Sequence, residues 1–369
     1  MPLDSHPEQA PGFHLIPVHF RAEITDVTLD SGSDGLHPKP VVSIIMPTFQ
    51  HGEFIRQALQ SVLDQETSFP IEILVGDDSS TDGAYEIARE IQRQHPERIR
   101  LLGSSCNLHT RFQPRMNALR LLSVARGEYT ALLEGDDYWT DPQKLERQVG
   151  ALRANPDAVL CVTYGQELID DHLKNVPPPY GGQEQLSWTT ILTKNQLHTA
   201  STIFRSAALP ASHPAFLKVP YGDWLNYVRA SLQSPILVIP EPMVVYRRHA
   251  GGIHSGRLPL DLIPEAKVMY DIFKELVPKE HHYFVDQCCN QYVASLREAA
   301  TDAFTPESIK AQIADGSESP YWYAKCLVSA LKGKLRRAAQ VQSLSKTNIP
   351  ADPTNEAVTP KRLQSRSNP

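Results

Sequence analysis

The sequence predicts an α/β fold built on a mostly parallel sheet flanked by helices. Two observations carry that prediction. Short, nearly continuous apolar runs alternate with helix-period segments from residue 41 to about residue 163, and polar turn residues follow the runs. A strand buried on both faces reads as an unbroken apolar run, and its alternation with amphipathic helices implies the crossovers of parallel pairing.

Residues 41–46 form the first run, closed by Pro47. Apolar residues at 54, 55, 58, 59, 62 and 63 then mark one helix face. Residues 71–75 make the second strand. Asp82 can cap a helix over 84–94, with Glu86 well placed for the helix dipole. A third strand at 99–102, a helix at 116–125 ending near Gly127 and a fourth strand at 129–133 follow. A helix at 145–152 and a strand at 158–163 complete the alternation.

Outside this stretch the pattern loosens. Residues 1–39 are rich in Pro, Gly, Asp and Ser and read as an irregular arm, with a short strand near 13–20. Pro177 to Pro179 and Gly181-Gly182 suggest a surface loop. Residues 236–246 give strand-like runs broken by Pro240 and Pro242, and the chain turns mainly helical from about 262. The expected organisation is an arm (1–39), the sheet domain (40–255), a helical region (256–344) and a disordered polar tail (345–369).

Composition narrows the function. The chain has 369 residues, 41% hydrophobic and 21% charged, as expected of a folded protein. A net charge of -6 argues against a general nucleic-acid binder. Five cysteines without a CxxC pair predict neither a disulfide framework nor structural zinc, and suit a reducing compartment. The N-terminus lacks the basic and apolar segments of a secretory signal, and no apolar run reaches the roughly 18 residues of a membrane span. A cytoplasmic location is the expectation.

Three strand ends carry chemistry. Pro47-Thr48-Phe49-Gln50 ends the first strand, and Gly76-Asp77-Asp78-Ser79-Ser80-Thr81-Asp82 follows the second. The aspartates there can accept from a base N–H or ribose hydroxyls, although the same residues also build turns and caps. Glu134-Gly135-Asp136-Asp137-Tyr138-Trp139 follows the fourth strand. Three acids in four positions repel one another unless a cation offsets them, and Mg2+ or Mn2+ would bridge such acids to a diphosphate. A solvated acidic turn is the alternative.

These segments, from Ser43-Ile44-Ile45-Met46-Pro47-Thr48-Phe49 through Glu134-Gly135-Asp136-Asp137, resemble the GT-A-fold glycosyltransferases of family 2 over roughly residues 41–255. The resemblance implies an inverting, hexosyltransferase-type enzyme of polysaccharide or glycoconjugate biosynthesis. It would use a nucleoside-diphosphate sugar and a divalent metal, Mn2+ or Mg2+. It assigns Pro47, Thr48, Phe49, Asp77, Asp78 and Arg115 to the nucleotide, and Asp136, Glu134 and His249 to the metal. Asp137, Arg247 and Arg248 fall to the donor sugar or diphosphate. Glu134 stands where family members more often have Asp, so direct and water-mediated metal contact both remain open. Tyr221-Gly222-Asp223-Trp224 resembles the segment supplying the base, with Gly222 where Glu is usual, and implies Asp223 for that role. Asp223 could otherwise serve as a helix N-cap. Tyr246-Arg247-Arg248-His249 followed by Ser255 resembles the closing motif, and His198-Thr199 the acceptor side. Trp139 and Trp224 would stack on acceptor faces or pack inside.

The acceptor would be a hydroxyl-bearing glycan, lipid-linked molecule or small metabolite. Two rival readings stand. A nucleotidyltransferase would also gather acids and a metal, but residues 47–54 lack a Gly-rich phosphate loop with a basic residue. A non-catalytic member that binds sugars or partners is consistent with Glu134 and Gly222. Near the C-terminus, Tyr321, Trp322, Leu327, Val328, Leu331 and Leu335 lie among Lys325, Lys332, Lys334, Arg336 and Arg337. That stripe fits peripheral contact with an anionic membrane, packing on its own domain, or a homo-oligomer contact through the C-terminal helices.

Overall fold

The structure, a computed structural model, describes residues 18–302 except 33, 113–114, 170, 176–178, 210–218, 250, 253–256 and 258. The strands are β1 (Thr28–Asp30), β2 (Val42–Thr48), β3 (Ile71–Asp77), β4 (Ile99–Ser104), β5 (Tyr129–Leu132) and β6 (Tyr138–Trp139). They continue with β7 (Leu160–Ile169), β8 (His172–Asn175), β9 (Gln185–Leu186), β10 (Thr202–Arg205) and β11 (Ile236–Arg248). The helices are α1 (Val18–Val27), α2 (Ile55–Leu63), α3 (Ala84–Gln94), α4 (Leu108–Arg111) and α5 (Met116–Val124). After them come α6 (Lys144–Ala154), α7 (Trp188–Thr193), α8 (Gly222–Gln233), α9 (Ile263–Leu276) and α10 (His282–Asp302).

Among the described residues the strands form one sheet in the order β1-β4-β3-β2-β5-β10-β7-β11-β6, with β8 on β7 and β9 on β11. The core β4-β3-β2-β5 is parallel. β10 lies antiparallel between β5 and β7, and β7 and β11 pair in parallel. The chain fills the sheet outward from β2 through β3 to β4, then returns to place β5 on the other side of β2. That reversal opens a crevice at the carboxyl ends of β2 and β5, the usual ligand site of such sheets.

All seven residues of β3 are buried, which explains its unbroken apolar reading. Alternate side chains feed two cores, one on each face. Ile44, Met46, Ile73 and Val75 join α2, α3 and α6 on one face, whereas Ile45 and Leu74 join α5, α8 and α9 on the other. Trp224 of α8 is fully buried and meets Tyr270 and Phe273 of α9 and Tyr292 of α10 edge-on, with centroids 5.1–5.6 Å apart. The helices beyond residue 255 therefore complete the second core, and the compact unit runs through Arg297.

Three expectations change. Residues 18–27 are helical, and β1 pairs with β4, so the arm contains regular structure and residues 18–20 are not strand. Pro240 and Pro242 do not break β11, because its register against β7 shifts between Val238 and Val244 and the irregularity absorbs the missing N–H groups. The strand predicted at 158–163 extends to Ile169. Ser255, the stripe at 321–337 and the tail at 345–369 lie outside the described residues. No helix among the described residues is long and apolar enough to cross a membrane.

One buried charge is anomalous. Lys144 is fully buried, lies 4.1 Å over the Trp139 ring and donates to Gln148 Oε1 at 2.8 Å. Burial pulls its ammonium down to about 7. Between that value and the unfolded value of about 10.4, the unfolded chain binds one more proton, so stability rises with pH there. Lys144→Met should therefore raise the melting temperature most below pH 7, and the gain should shrink as pH rises toward 10, as read by calorimetry at several pH values.

Candidate active site

The ends of β2 and β3 are clasped together. Asp78 N–H donates to Thr48 O at 3.0 Å, Gln50 N–H to Ser80 Oγ at 2.9 Å, and Thr81 N–H to Gln50 Oε1 at 2.9 Å. Gln50 adopts a left-handed backbone (φ 57°), and the preceding Phe49 is 45% exposed. Asp77 is buried. Its Oδ2 accepts from Ser80 N–H at 3.0 Å, while its Oδ1 is enclosed without a partner. Burial raises its carboxyl pKa, against the Ser80 hydrogen bonds. Behind it Arg120, 3% exposed, donates to Leu102 O, Gly103 O and Asn117 Oδ1, and Asn117 donates to Gly76 O.

Asp78 departs from its assignment to the nucleotide. Its two carboxylate oxygens accept from the N–H groups of Leu108 (2.5 Å) and His109 (3.3 Å), so the side chain is committed to the start of α4. Asp77 remains the carboxylate of this loop with an unpartnered oxygen. Arg115, the left-handed residue before α5, donates to Pro220 O at 2.6 Å. Burial lowers its pKa and the charge of Asp223 opposes that shift, which ties Arg115 to the Asp223 side of the crevice.

The acidic loop packs directly on β2. Gly135 N–H donates to Pro47 O, and a Cβ at Gly135 would meet Thr48 Oγ1 at 2.7 Å. Asp137 is 2% exposed and accepts from Arg247 N–H at 2.9 Å. Burial, then Asp136 and Glu134, hold its carboxyl well above the usual range. Arg247 donates to Asp136 O at 2.5 Å and to Gln57 Oε1, with its guanidinium 4.9 Å from the Phe54 ring centre and 4.7 Å from that of Tyr138. Its guanidinium, close to both rings, ties the acidic loop to α2. Arg248, on the opposite face of β11, forms a bidentate pair with Glu167 at 2.9 and 3.0 Å. That pairing corrects its expected place beside the diphosphate.

Two imidazoles converge on Asp136. His249 Nε2 lies 3.1 Å and His51 Nε2 3.5 Å from Asp136 Oδ2, and the three ligand atoms fall within 4.8 Å of one another. Metal–ligand bonds of about 2.1 Å at right angles would put adjacent donor atoms roughly 3 Å apart, so the group fits one divalent ion. Burial lowers the His51 pKa against the pull of Asp136, which favours the neutral, ligating imidazole. A set of two nitrogens and one oxygen suits a first-row transition ion better than Mg2+. His51 was not among the predicted ligands. Its only signal was a histidine in the turn after β2.

Glu134, by contrast, is not part of this converging group. Its Oε2 is enclosed without a hydrogen-bond partner, and burial, then Asp136, push its carboxyl up to about 8, with Asp223 adding and Thr199 opposing. Glu134 thus lies within electrostatic reach of both the metal-type cluster and Asp223. Asp223 lies in the first turn of α8, where Tyr221 is the N-cap, and its Oδ2 accepts from Asn195 Nδ2 at 2.9 Å. His198 packs on Tyr246 with centroids 5.1 Å apart, and burial lowers its pKa. Trp139 and Trp224 are not acceptor platforms. They are 4% and 0% exposed and donate to Ala200 O and Ile191 O, so both rings belong to the core.

Comparison with known proteins agrees with this fold. Residues 43–209 match the family described as Glycosyl transferase family 2. An uncharacterised protein of Mycobacterium tuberculosis is 36% identical over 223 residues, covering 58% of this chain and 61% of that protein. The chain therefore matches less than two thirds of that relative's length. Two solved structures share the fold. Staphylococcus aureus TarS, crystallised with UDP-GlcNAc, superposes with a TM-score of 0.53 at 19% identity over 68% of this chain and 71% of that one. The mannosyltransferase PcManGT of Pyrobaculum calidifontis, crystallised with GDP-Man and Mn2+, gives 0.51 at 16% identity over 79% and 80%. Residues 43–209 are thus similar to glycosyl transferase family 2, and the chain has a GT-A-like fold.

The cluster generates a direct test. Titration of Mn2+ by calorimetry in the presence of UDP or GDP should show Asp136→Asn and His51→Gln each weakening binding at least about tenfold. Glu134→Gln should stay within about threefold of wild type. Equal losses at all three positions would place Glu134 among the ligands and reject this assignment.

Proposed function

We propose that the chain is an inverting glycosyltransferase that moves a hexosyl unit from a nucleoside-diphosphate sugar to a hydroxyl acceptor, with Asp223 as the base. One observation carries the reading. Glu134 lies within electrostatic reach of Asp136 in the metal-type cluster and of Asp223 on α8, which supports a diphosphate end and a base near one another. A single displacement needs that arrangement, with the leaving group and the attacking hydroxyl on opposite sides of the anomeric carbon.

In this reading Thr48, Phe49 and Asp77 receive the nucleoside. The unpartnered Asp77 Oδ1 accepts from the base or ribose, and the exposed Phe49 ring offers a stacking face. His51, Asp136 and His249 would hold Mn2+ or a similar ion, which when bound offsets the charge growing on the diphosphate. Asp223 takes the proton of the acceptor hydroxyl as its oxygen bonds to the anomeric carbon. The bond from that carbon to the diphosphate breaks, and its electron pair leaves with the nucleoside diphosphate. Arg115 lies on the Asp223 side, with His198 and Thr199 on the acceptor wall. The two fold-mates were crystallised with nucleotide sugars, which supports the donor class.

Purified protein incubated with UDP-Glc, UDP-GlcNAc or GDP-Man, Mn2+ and a panel of hydroxyl acceptors should release nucleoside diphosphate and no pyrophosphate. Asp223→Asn should lower kcat roughly 100- to 10,000-fold while the thermal shift given by UDP or GDP with Mn2+ is kept. Pyrophosphate release would favour a nucleotidyltransferase, and undiminished transfer by Asp223→Asn would remove that residue from the chemistry.

A further inference from the structure

The segment after α7 is held from several directions. Trp224 Nε1 donates to Ile191 O at 2.9 Å, and the Tyr270 hydroxyl to Leu192 O at 2.8 Å and Thr193 O at 3.2 Å. The Tyr180 hydroxyl donates to Lys194 O, and Tyr180 N–H to Gln196 Oε1 at 2.9 Å. Asn195 stands between these last two anchors. Residues fixed on both sides present a side chain in one place, the condition for precise positioning.

The amide of Asn195 has a defined orientation. Asp223 Oδ2 lies 2.9 Å from it, and an ionised carboxylate only accepts, so the amide nitrogen must face Asp223. The amide oxygen then points elsewhere. That Oδ1 is enclosed by protein and has no hydrogen-bond partner. A buried acceptor without a donor is costly, and native proteins rarely leave one unless something fills the position. What is missing is a donor, placed beside the carboxylate that takes the acceptor's proton.

We propose that Asn195 reads the acceptor: its Oδ1 accepts from a hydroxyl neighbouring the one that Asp223 deprotonates. The acceptor is accordingly a sugar or other vicinal diol, and not a lone alcohol such as a serine side chain. This rests on the reading of Asp223 as base. Asn195 has two roles in it, holding the Asp223 carboxylate through Nδ2 and recognising the second hydroxyl through Oδ1. The Tyr270 contacts bring α9, beyond the segment that matches the family, into acceptor recognition.

The test is a cycle of enzyme variant against acceptor. Transfer from the accepted donor is measured to p-nitrophenyl glycosides, to their monodeoxy analogues lacking the hydroxyl next to the attacking one, and to serine peptides. Wild type should use the glycoside and lose about 10- to 100-fold in kcat/KM with the deoxy analogue, the range for one buried hydrogen bond. Asn195→Ala should show a similar loss with the full glycoside but little further loss with the deoxy one, and should keep the thermal shift given by UDP or GDP with Mn2+. Equal deoxy penalties in wild type and Asn195→Ala would overturn the proposal, as would transfer confined to serine peptides. Should Asp223→Asn retain transfer, the base assignment fails first. Additive penalties with an inactive Asp223→Asn reject the Asn195 reading alone.

Discussion

Carboxylate crowding is the constraint around which the site is arranged. Glu134, Asp136 and Asp137 fall within four consecutive positions after β5, with Asp77 at the end of β3, two strands away. In a partly dehydrated crevice such charges repel strongly and are poorly screened. The structure handles each differently. Asp137 accepts the Arg247 N–H, and the Arg247 guanidinium lies close to the Phe54 and Tyr138 rings. Asp136 is left facing two imidazoles, and Glu134 is driven toward its neutral form. Only Asp136 is aimed where a cation could be held by several ligands. One local sequence motif thus divides into a clamped carboxylate, a candidate metal ligand and a buried carboxyl.

The sheet places this loop, and that placement was legible in the sequence. β2, β3 and β5 are buried on both faces, so their apolar runs stand out, and the acids begin where the β3 and β5 runs stop. Asp77 and Asp136 followed from that pattern. What was not legible depends on contacts between distant segments. His51 gains its meaning only when β11 brings His249 beside it. Asp78 looks like a ligand in sequence, yet α4 returns 30 residues later to occupy both its oxygens. Arg247 and Arg248 are adjacent in sequence, but strand alternation sends one to the acidic loop and the other to Glu167. Trp139 and Trp224 could not be assigned to surface or core without the packing of α6, α9 and α10 around them.

The two halves of the crevice are consequently supported in different ways. The donor end hangs on backbone pairing within the sheet, where Gly135 fits against Thr48 so closely that no larger residue can replace it without displacement. The opposite end is held by side chains. Tyr180, Trp224 and Tyr270 anchor the segment around Asn195, and Trp224 and Tyr270 are themselves fixed in the aromatic cluster shared by α8, α9 and α10. A sheet-borne site tolerates little change in its residues, because each is tied to strand register. A segment held by side-chain hydrogen bonds to its carbonyls tolerates much more, since carbonyls are present whatever the residue. On the reading proposed above, exposed positions beside Asn195 such as Thr193 and Lys194 can therefore change without disturbing the His51, Asp136 and His249 group, and α8 and α9 support that independence.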